Sequence, residues 1–157
     1  IHYKKGAVRQ MVETFEFYKS SVIAVQQVEG PDISSYGVIS GVKQTERVYL
    51  LDQIVEKPAF ADAPSNMGVT GRYIFTPQIF SHLARLKPGA GGEFQLTDAI
   101  QTLLTEEQVL AYEYEGIRYD CGSKMGLLKA NIELGLSHPE IGDDLRDYLK
   151  NDLLGKL

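Results

Sequence analysis

The chain has 157 residues, enough for one domain that buries most of its apolar surface, and its 43% hydrophobic and 24% charged residues are ordinary for a globular protein. A formal net charge of −5 and an isoelectric point near 5.2 argue against nucleic acid as a partner, while a local basic site for a small phosphate stays compatible with them. One cysteine excludes an internal disulfide and indicates a reducing compartment such as the cytoplasm. No apolar run is long enough to span a membrane.

The first predicted element is an amphipathic helix over about 5–19, entered almost directly from Ile1. Because no initiator methionine precedes it, we expect that an upstream part of the chain is missing. Four apolar residues define the predicted buried face of this helix by their spacing: Val8, Met11, Val12 and Phe15. The apolar run 21–25 is typical of a strand covered on both faces. A helix followed by a buried strand is half of an α/β repeat, so an α/β fold is predicted.

The remaining predicted elements alternate between β segments and helices. Three β segments are expected first, at 36–40, at 47–55 as one bent strand or two short ones, and at 67–75. Helices follow at 77–85, after a Thr76 cap, and at 94–104. Beyond them we expect strands at 109–114 and 117–119 and helices at 124–136 and 139–149.

The segment 54–58, with the sequence I-V-E-K-P, places a carboxylate and an ammonium at the predicted end of a strand. Pro58 stops the strand because it has no N–H for a ladder. In open α/β sheets, ligands bind outside the carboxyl ends of the strands. Adjacent strand residues point to opposite faces, so Glu56 would accept hydrogen bonds from hydroxyls while Lys57 holds a phosphate. The alternative is a solvated Glu-Lys pair.

Asp120 is a second candidate, since it follows a short β run and precedes Gly122, which allows a tight turn into the next helix. A carboxylate in such a turn can be a hard oxygen ligand for Mg²⁺. The residues leave an equal alternative open, in which Asp120 caps the helix that begins near Lys124.

The stretch 65–73 combines hydrogen-bonding side chains, glycines and Arg72. Two interpretations of this stretch stay open from the residues alone. In one it lines a polar ligand pocket, and in the other it forms a bulged strand with an exposed arginine. Polar side chains also lie at the start of the predicted helix 94–104, where capping is favoured over catalysis: Glu93, Gln95, Thr97 and Asp98.

Four motifs occur in one order along the chain: V-E-K-P, A-P-S-N-x-x-x-x-G-R-Y, P-G-A-G-G-E-x-Q-L-T-D-A-I and Y-D-C-G-x-K-x-G-x-L-K-A-N. Together they make the segment 22–149 resemble the bacterial UTP–glucose-1-phosphate uridylyltransferases, also called UDP-glucose pyrophosphorylases. The resemblance implies a nucleotidyltransferase (Rossmann-like) α/β fold with a mixed, largely parallel sheet flanked by helices. It also implies that residues 1–157 are the C-terminal, sugar-phosphate-binding part, and that the N-terminal nucleotide-binding part is absent.

The same resemblance assigns roles to particular residues. Lys57 would be catalytic and contact the sugar phosphate, Glu56 would bind sugar hydroxyls, and Asp120 would hold Mg²⁺. Further residues would line the glucose site: Tyr36, Gly37, Val69, Gly71, Arg72 and Tyr73. Related enzymes often carry an arginine shortly before the residue that matches Glu93, and glycines stand there in this chain. That phosphate contact must therefore come from elsewhere.

The implied reaction is in-line attack by a phosphate oxygen of glucose 1-phosphate on the α-phosphorus of UTP, which gives UDP-glucose and pyrophosphate. Positioning and charge neutralisation would dominate, and the chain alone would be inactive. A homo-oligomer, dimer or tetramer, with an interface near the C-terminus is expected. Two alternatives stay open: a non-catalytic sugar-phosphate-binding or regulatory module, and an enzyme for another nucleotide such as dTTP or CTP.

Overall fold

The computed structural model describes residues 1, 4–89 and 92–156 of the chain. These described residues divide into two compact units, one within residues 4–116 and one of residues 117–156 with residue 1. None of the helices in the described part of the chain is long and apolar enough to cross a membrane.

In its described residues, the first unit contains three α-helices and five strands. The helices are α1 (Ala7–Tyr18), α2 (Ile79–Leu83) and α3 (Leu96–Leu103). The strands are β1 (Ser21–Gln27), β2 (Gly37–Lys43), β3 (Val48–Glu56), β4 (Met67–Ile74) and β5 (Val109–Glu113). Two short 3₁₀-helices, Gly30–Ser35 and Phe60–Asp62, precede β2 and β4. The predicted α/β pattern is confirmed, although α2 is shorter than expected and has no side-chain cap.

The second unit is helical. It contains α4 (Lys124–Leu136) and α5 (Gly142–Asp147), followed by a π-helical turn, Tyr148–Leu153, and a 3₁₀ turn, Leu154–Lys156. The strand predicted at 117–119 does not form an extended element.

The five strands form one sheet in the order β1-β4-β2-β3-β5, which closes on itself because β5 also pairs with β1. The predicted mixed sheet is confirmed, but the expected majority of parallel pairs is wrong. Strands β1 and β5 are parallel, whereas β1–β4, β2–β3, β2–β4 and β3–β5 are antiparallel. The physical reason is visible between β2 and β3, where the segment 44–47 is too short for the crossover that parallel neighbours need.

The main hydrophobic core lies between one face of this sheet and helices α2 and α3. Ile23, Val25 and Ile39 contribute from the strands, while Ile100 and Leu103 contribute from α3. As predicted, the first five residues of β1 are buried. A second, smaller cluster packs on the opposite face of β2: Val28, Ile33 and Val38, with Tyr36 against it.

The predicted helix α1 forms, but its buried face differs from the one expected. Val8 and Val12 are exposed, and the buried residues are Ala7, Gln10, Met11 and Thr14. The Gln10 amide explains the difference, because it donates to Glu115 O at 2.9 Å and accepts from Glu115 N at 2.9 Å. Burial of a polar side chain is tolerated when its hydrogen bonds are made, so this residue decides which face packs.

Candidate functional site

The site is organised around Gly37, the first residue of β2. The ladder pairs Gly37 with Glu56, the last residue of β3, so the two residues share one face of the sheet. A Cβ atom at Gly37 would lie 3.1 Å from Thr97 Cγ2, 3.3 Å from Glu56 Oε2 and 3.8 Å from Val69 Cβ. These three side chains therefore lie close around the Cα of Gly37, which carries no side chain of its own, and we name this place the Gly37 crevice.

The crevice does not lie where the sequence argument placed it. Strands β2 and β3 are antiparallel, so the end of β3 meets the start of β2. The rule that ligands bind outside the carboxyl ends of neighbouring strands holds for parallel strands, so it does not apply to β2 and β3. The position of Glu56 at a strand end is nevertheless as predicted.

Lys57 lies just beyond β3, with its backbone in the left-handed region at φ 42°. Its N–H donates to Tyr36 O at 3.0 Å, which holds the turn against the start of β2. Its Nζ lies 3.7 Å from Glu56 Oε1. The prediction that Glu56 and Lys57 point to opposite faces is wrong, because strand alternation ends where the backbone leaves the extended conformation. The Lys57 ammonium and the Glu56 carboxylate therefore lie next to each other.

The Glu56 carboxylate is positioned to accept hydrogen bonds from a ligand. Its side chain is 28% exposed, and the cation of Lys57 lies beside it. Burial raises the pKa of the Tyr73 phenol, and the negative charge of Glu56 raises it further. The Glu56 carboxylate therefore interacts electrostatically with Tyr73. The phenol therefore stays protonated at neutral pH and can act as a donor.

The stretch 65–73 forms the bulged strand with an exposed arginine that the sequence left open, and its role as the wall of a ligand pocket stays a prediction. Val69 and Tyr73 pair with β1, and the register shifts between them, so residues 70–72 form a bulge. In this bulge Gly71 has φ 70° and Arg72 is exposed, with its Nη1 donating to Thr70 O at 3.3 Å. Val69 forms a wall of the Gly37 crevice, whereas Arg72 points along the bulge.

Tyr36 is placed differently from the other predicted lining residues. Its ring packs on the opposite face of β2, where a Cβ at Gly68 would lie 3.2 Å from Tyr36 Cγ. Its contribution to the site is the carbonyl that accepts the Lys57 N–H. Successive residues of extended backbone face opposite sides, so the Tyr36 ring lies on the face of the sheet away from the Gly37 crevice.

Thr97 is the wall residue whose role the sequence argument missed. It was expected to help cap α3, but the residue at the N-cap is Gln95 and no side chain caps the helix. Thr97 is 6% exposed and presents its methyl group to Gly37. The sequence did contain a signal that Thr97 is buried. The residue stands in the Q-L-T-D-A-I motif, one helical turn from residues that pack into the core.

In the second unit, Asp120 lies in an exposed turn before α4. Its Oδ1 accepts from Gly122 N at 3.2 Å, and its carbonyl accepts from Ser123 N at 3.2 Å. Ser123 is the N-cap of α4 and accepts from Gly126 N at 3.0 Å. The alternative in which Asp120 caps this helix is therefore wrong, and its carboxylate is directed to the turn.

A family model described as nucleotidyl transferase matches residues 1–135, most of the chain. The chain belongs to the nucleotidyl transferase family. It is 45% identical over 146 residues to a UTP–glucose-1-phosphate uridylyltransferase of Streptococcus pyogenes, and the match covers 92% of this chain and 48% of that protein. The chain thus spans about half the length of the curated relatives that it matches.

Solved structures agree with this assignment to the nucleotidyl transferases. A UDP-glucose pyrophosphorylase complexed with UDP-glucose superposes with a TM-score of 0.82 at 40% identity, covering 88% of this chain and 52% of that one. A UTP-bound UGPase from Acinetobacter baumannii gives a TM-score of 0.83 at 30% identity, covering 97% and 53%. The resemblance read from the four motifs is confirmed.

The donor side chains show how well the residues present fit the metal expected of a nucleotidyl transferase. In the described part of the chain, no three His, Cys, Asp or Glu side chains are grouped as a metal cage. Mg²⁺ in phosphate-transfer sites is usually held by one or two carboxylates, with substrate phosphates and water completing the shell. A single exposed carboxylate such as Asp120 fits that arrangement as one ligand.

Proposed function

We propose that this chain supplies the glucose-1-phosphate-binding part of an enzyme that transfers uridylyl from UTP to glucose 1-phosphate, releasing pyrophosphate and forming UDP-glucose. The observation that carries the proposal is the Gly37 crevice, which is bordered by the Glu56 carboxylate, a hydrogen-bond acceptor, with Lys57 Nζ 3.7 Å from that carboxylate. A ligand with hydroxyl groups next to a phosphate matches this pairing of an acceptor and a cation. The names of the relatives support the same reaction.

In this mechanism the protein positions two anions and offsets their charge. Glu56 would hold the sugar through its hydroxyls, and the ammonium of Lys57 would lower the repulsion between the sugar phosphate and the triphosphate. No general base is required, because the attacking phosphate is already ionised near neutral pH. When bound, Mg²⁺ would neutralise charge on the triphosphate, and Asp120 would be its ligand from this chain.

The proposal assigns this chain the C-terminal, sugar-phosphate-binding role, and the nucleotide would be held by the part of the relatives that lies outside the match. The homo-oligomer and the cytoplasmic location stay predictions. Analytical ultracentrifugation of the purified chain, alone and joined to a nucleotide-binding half, would measure the oligomeric state.

The test of the proposed function joins residues 1–157 to the complementary half of the Streptococcus pyogenes relative. We expect the joined protein to form UDP-glucose from UTP and glucose 1-phosphate with Mg²⁺, and the chain alone to form none. Parallel reactions with dTTP and CTP decide which base is accepted. A folded joined protein that binds glucose 1-phosphate but forms no product would favour the non-catalytic alternative.

A methyl group in the crevice should interfere with the sugar and not with the fold. In Gly37→Ala the new Cβ would lie 3.1 Å from Thr97 Cγ2 and 3.3 Å from Glu56 Oε2, so these two side chains must shift by a few tenths of an ångström. We expect glucose 1-phosphate to bind about tenfold more weakly or worse, a change of about 1.4 kcal/mol, by isothermal titration calorimetry. Gly6→Ala is the control, since a Cβ there meets nothing within 4 Å. Equal affinities of the two variants would contradict the placement of the sugar.

A further inference from the structure

His82 has a ring nitrogen that its place in the fold does not explain. The residue lies in α2, and its side chain is only 4% exposed. Its Nε2 atom is buried without a hydrogen-bond partner among the residues that the structure describes. A buried polar atom without a partner is unfavourable, and such atoms are rare in folded proteins. The nitrogen therefore calls for a ligand.

The other ring nitrogen of His82 shows which form of the imidazole is present. Nδ1 lies 3.0 Å from Thr102 Oγ1. The single hydrogen of the Thr102 hydroxyl is donated to Ala99 O at 2.9 Å, so Oγ1 can only accept a hydrogen bond from the ring. The proton of the neutral imidazole is therefore on Nδ1, and Nε2 carries a lone pair.

A carboxylate lies beside this lone pair. Glu106, in the turn after α3, places its Oε2 3.5 Å from His82 Nε2. Both atoms are electron-pair donors, so they repel each other unless a cation lies between them. Two ligands of one tetrahedral Zn²⁺ ion, each about 2.1 Å from the metal, are about 3.4 Å apart. The observed distance matches this spacing.

The surroundings of the two side chains indicate the class of cation. Both border a cavity of about 390 Å³, which has room for water to complete a coordination shell. The charged side chains that line it are balanced, two of each sign: Arg85, Lys87, Asp98 and Glu106. This balance disfavours Ca²⁺ or Mg²⁺, which are held by several oxygen ligands. An imidazole nitrogen suits Zn²⁺ and similar transition-metal ions.

We propose that His82 Nε2 and Glu106 Oε2 bind a divalent transition-metal ion, with Zn²⁺ as the best fit, and that the ion ties α2 to the turn after α3. The inference goes beyond the proposed function and does not rest on it. Thr102 is the positioning residue of this site. A histidine that binds a metal usually donates its other N–H to an acceptor, which fixes the orientation of the ring, and Nδ1 does so to Thr102 Oγ1.

Isothermal titration calorimetry of the purified chain with ZnCl₂ near neutral pH tests the site. We expect one Zn²⁺ ion per chain and a rise in melting temperature that EDTA reverses. Glu106→Gln keeps the size of a side chain that is 53% exposed, so the fold should survive, while the affinity for Zn²⁺ falls about tenfold or more. His82→Gln should lose binding to at least the same extent. The controls are His138→Gln and Cys121→Ser, which remove an exposed imidazole and an exposed thiol and should leave the affinity unchanged.

Nitrogen-15 NMR of the histidine rings distinguishes a metal from a proton at Nε2. Zn²⁺ should shift the Nε2 resonance of His82 while Nδ1 stays protonated. A ring protonated on both nitrogens at neutral pH would mean a simple ion pair with Glu106 and would overturn the inference. The absence of Zn²⁺ binding by the wild-type chain would overturn it as well, as would binding that Glu106→Gln keeps and Cys121→Ser loses. None of these results alters the expected formation of UDP-glucose by the joined protein, so the two proposals fail separately.

Discussion

Lys57→Ala should lower the turnover of UDP-glucose formation in the joined protein by about two to three orders of magnitude, the usual effect of removing one group that stabilises charge in a transition state. The fold should survive, because the side chain is 62% exposed and the backbone hydrogen bond from Lys57 N to Tyr36 O is kept. Turnover with saturating substrates is the measurement. Thermal unfolding monitors the fold.

The matched control for this substitution is Lys19→Ala. In the described part of the chain, Lys19 and Lys57 are the two non-glycine residues with positive φ, at 55° and 42°. Both variants therefore remove an exposed lysine from a left-handed backbone, and their effects on stability should be similar. Normal turnover of Lys57→Ala, or an equal loss of turnover in Lys19→Ala, would contradict the assigned role.

Gly126→Ala should disrupt the turn that carries Asp120. A Cβ at Gly126 would lie 2.1 Å from Asp120 O and 2.6 Å from Ser123 Oγ, so the backbone of the turn must move. Such overpacking costs about 1–3 kcal/mol, and loss of the Ser123 cap about 1 kcal/mol more. We expect a lower melting temperature and a higher Mg²⁺ concentration for half-maximal activity of the joined protein.

The control is Gly135→Ala, in the same helix α4. There the new Cβ meets Leu145 Cδ2 at 2.7 Å, the movable end of a side chain. Alanine in a helix interior is favoured over glycine by about 0.5–1 kcal/mol, which offsets the shift of Leu145. Gly135→Ala should therefore remain near the wild-type stability and Mg²⁺ requirement. If both variants behave alike, the close approach of Gly126 to Asp120 does not matter for the site.

Local patterns along the chain determined much of what the structure contains. The apolar run of β1, the helix α1 and the end of β3 at Glu56 follow from short-range rules of periodicity and chain termination. The four motifs were sufficient to identify the family, because the order and spacing of their residues can be read without knowledge of the fold. These features depend on neighbours within a few residues.

Only the tertiary structure decided how those elements face one another. The buried side of α1 is chosen by Gln10, whose partner Glu115 is distant in sequence. Lys57 joins Glu56 because of a backbone turn held by Tyr36 O, which strand alternation does not predict. The Gly37 crevice requires β2, β3, β4 and α3 to meet.

The physical reason for this division is the range of the interactions. Periodicity, capping and proline act on the backbone within one or two turns, so they can be read from adjacent residues. A crevice is defined by an absent side chain at Gly37 and by atoms from other segments that surround it. Sequence alone therefore identified the glycine and the carboxylate of the candidate site, and the packing of distant segments brought them together with Thr97.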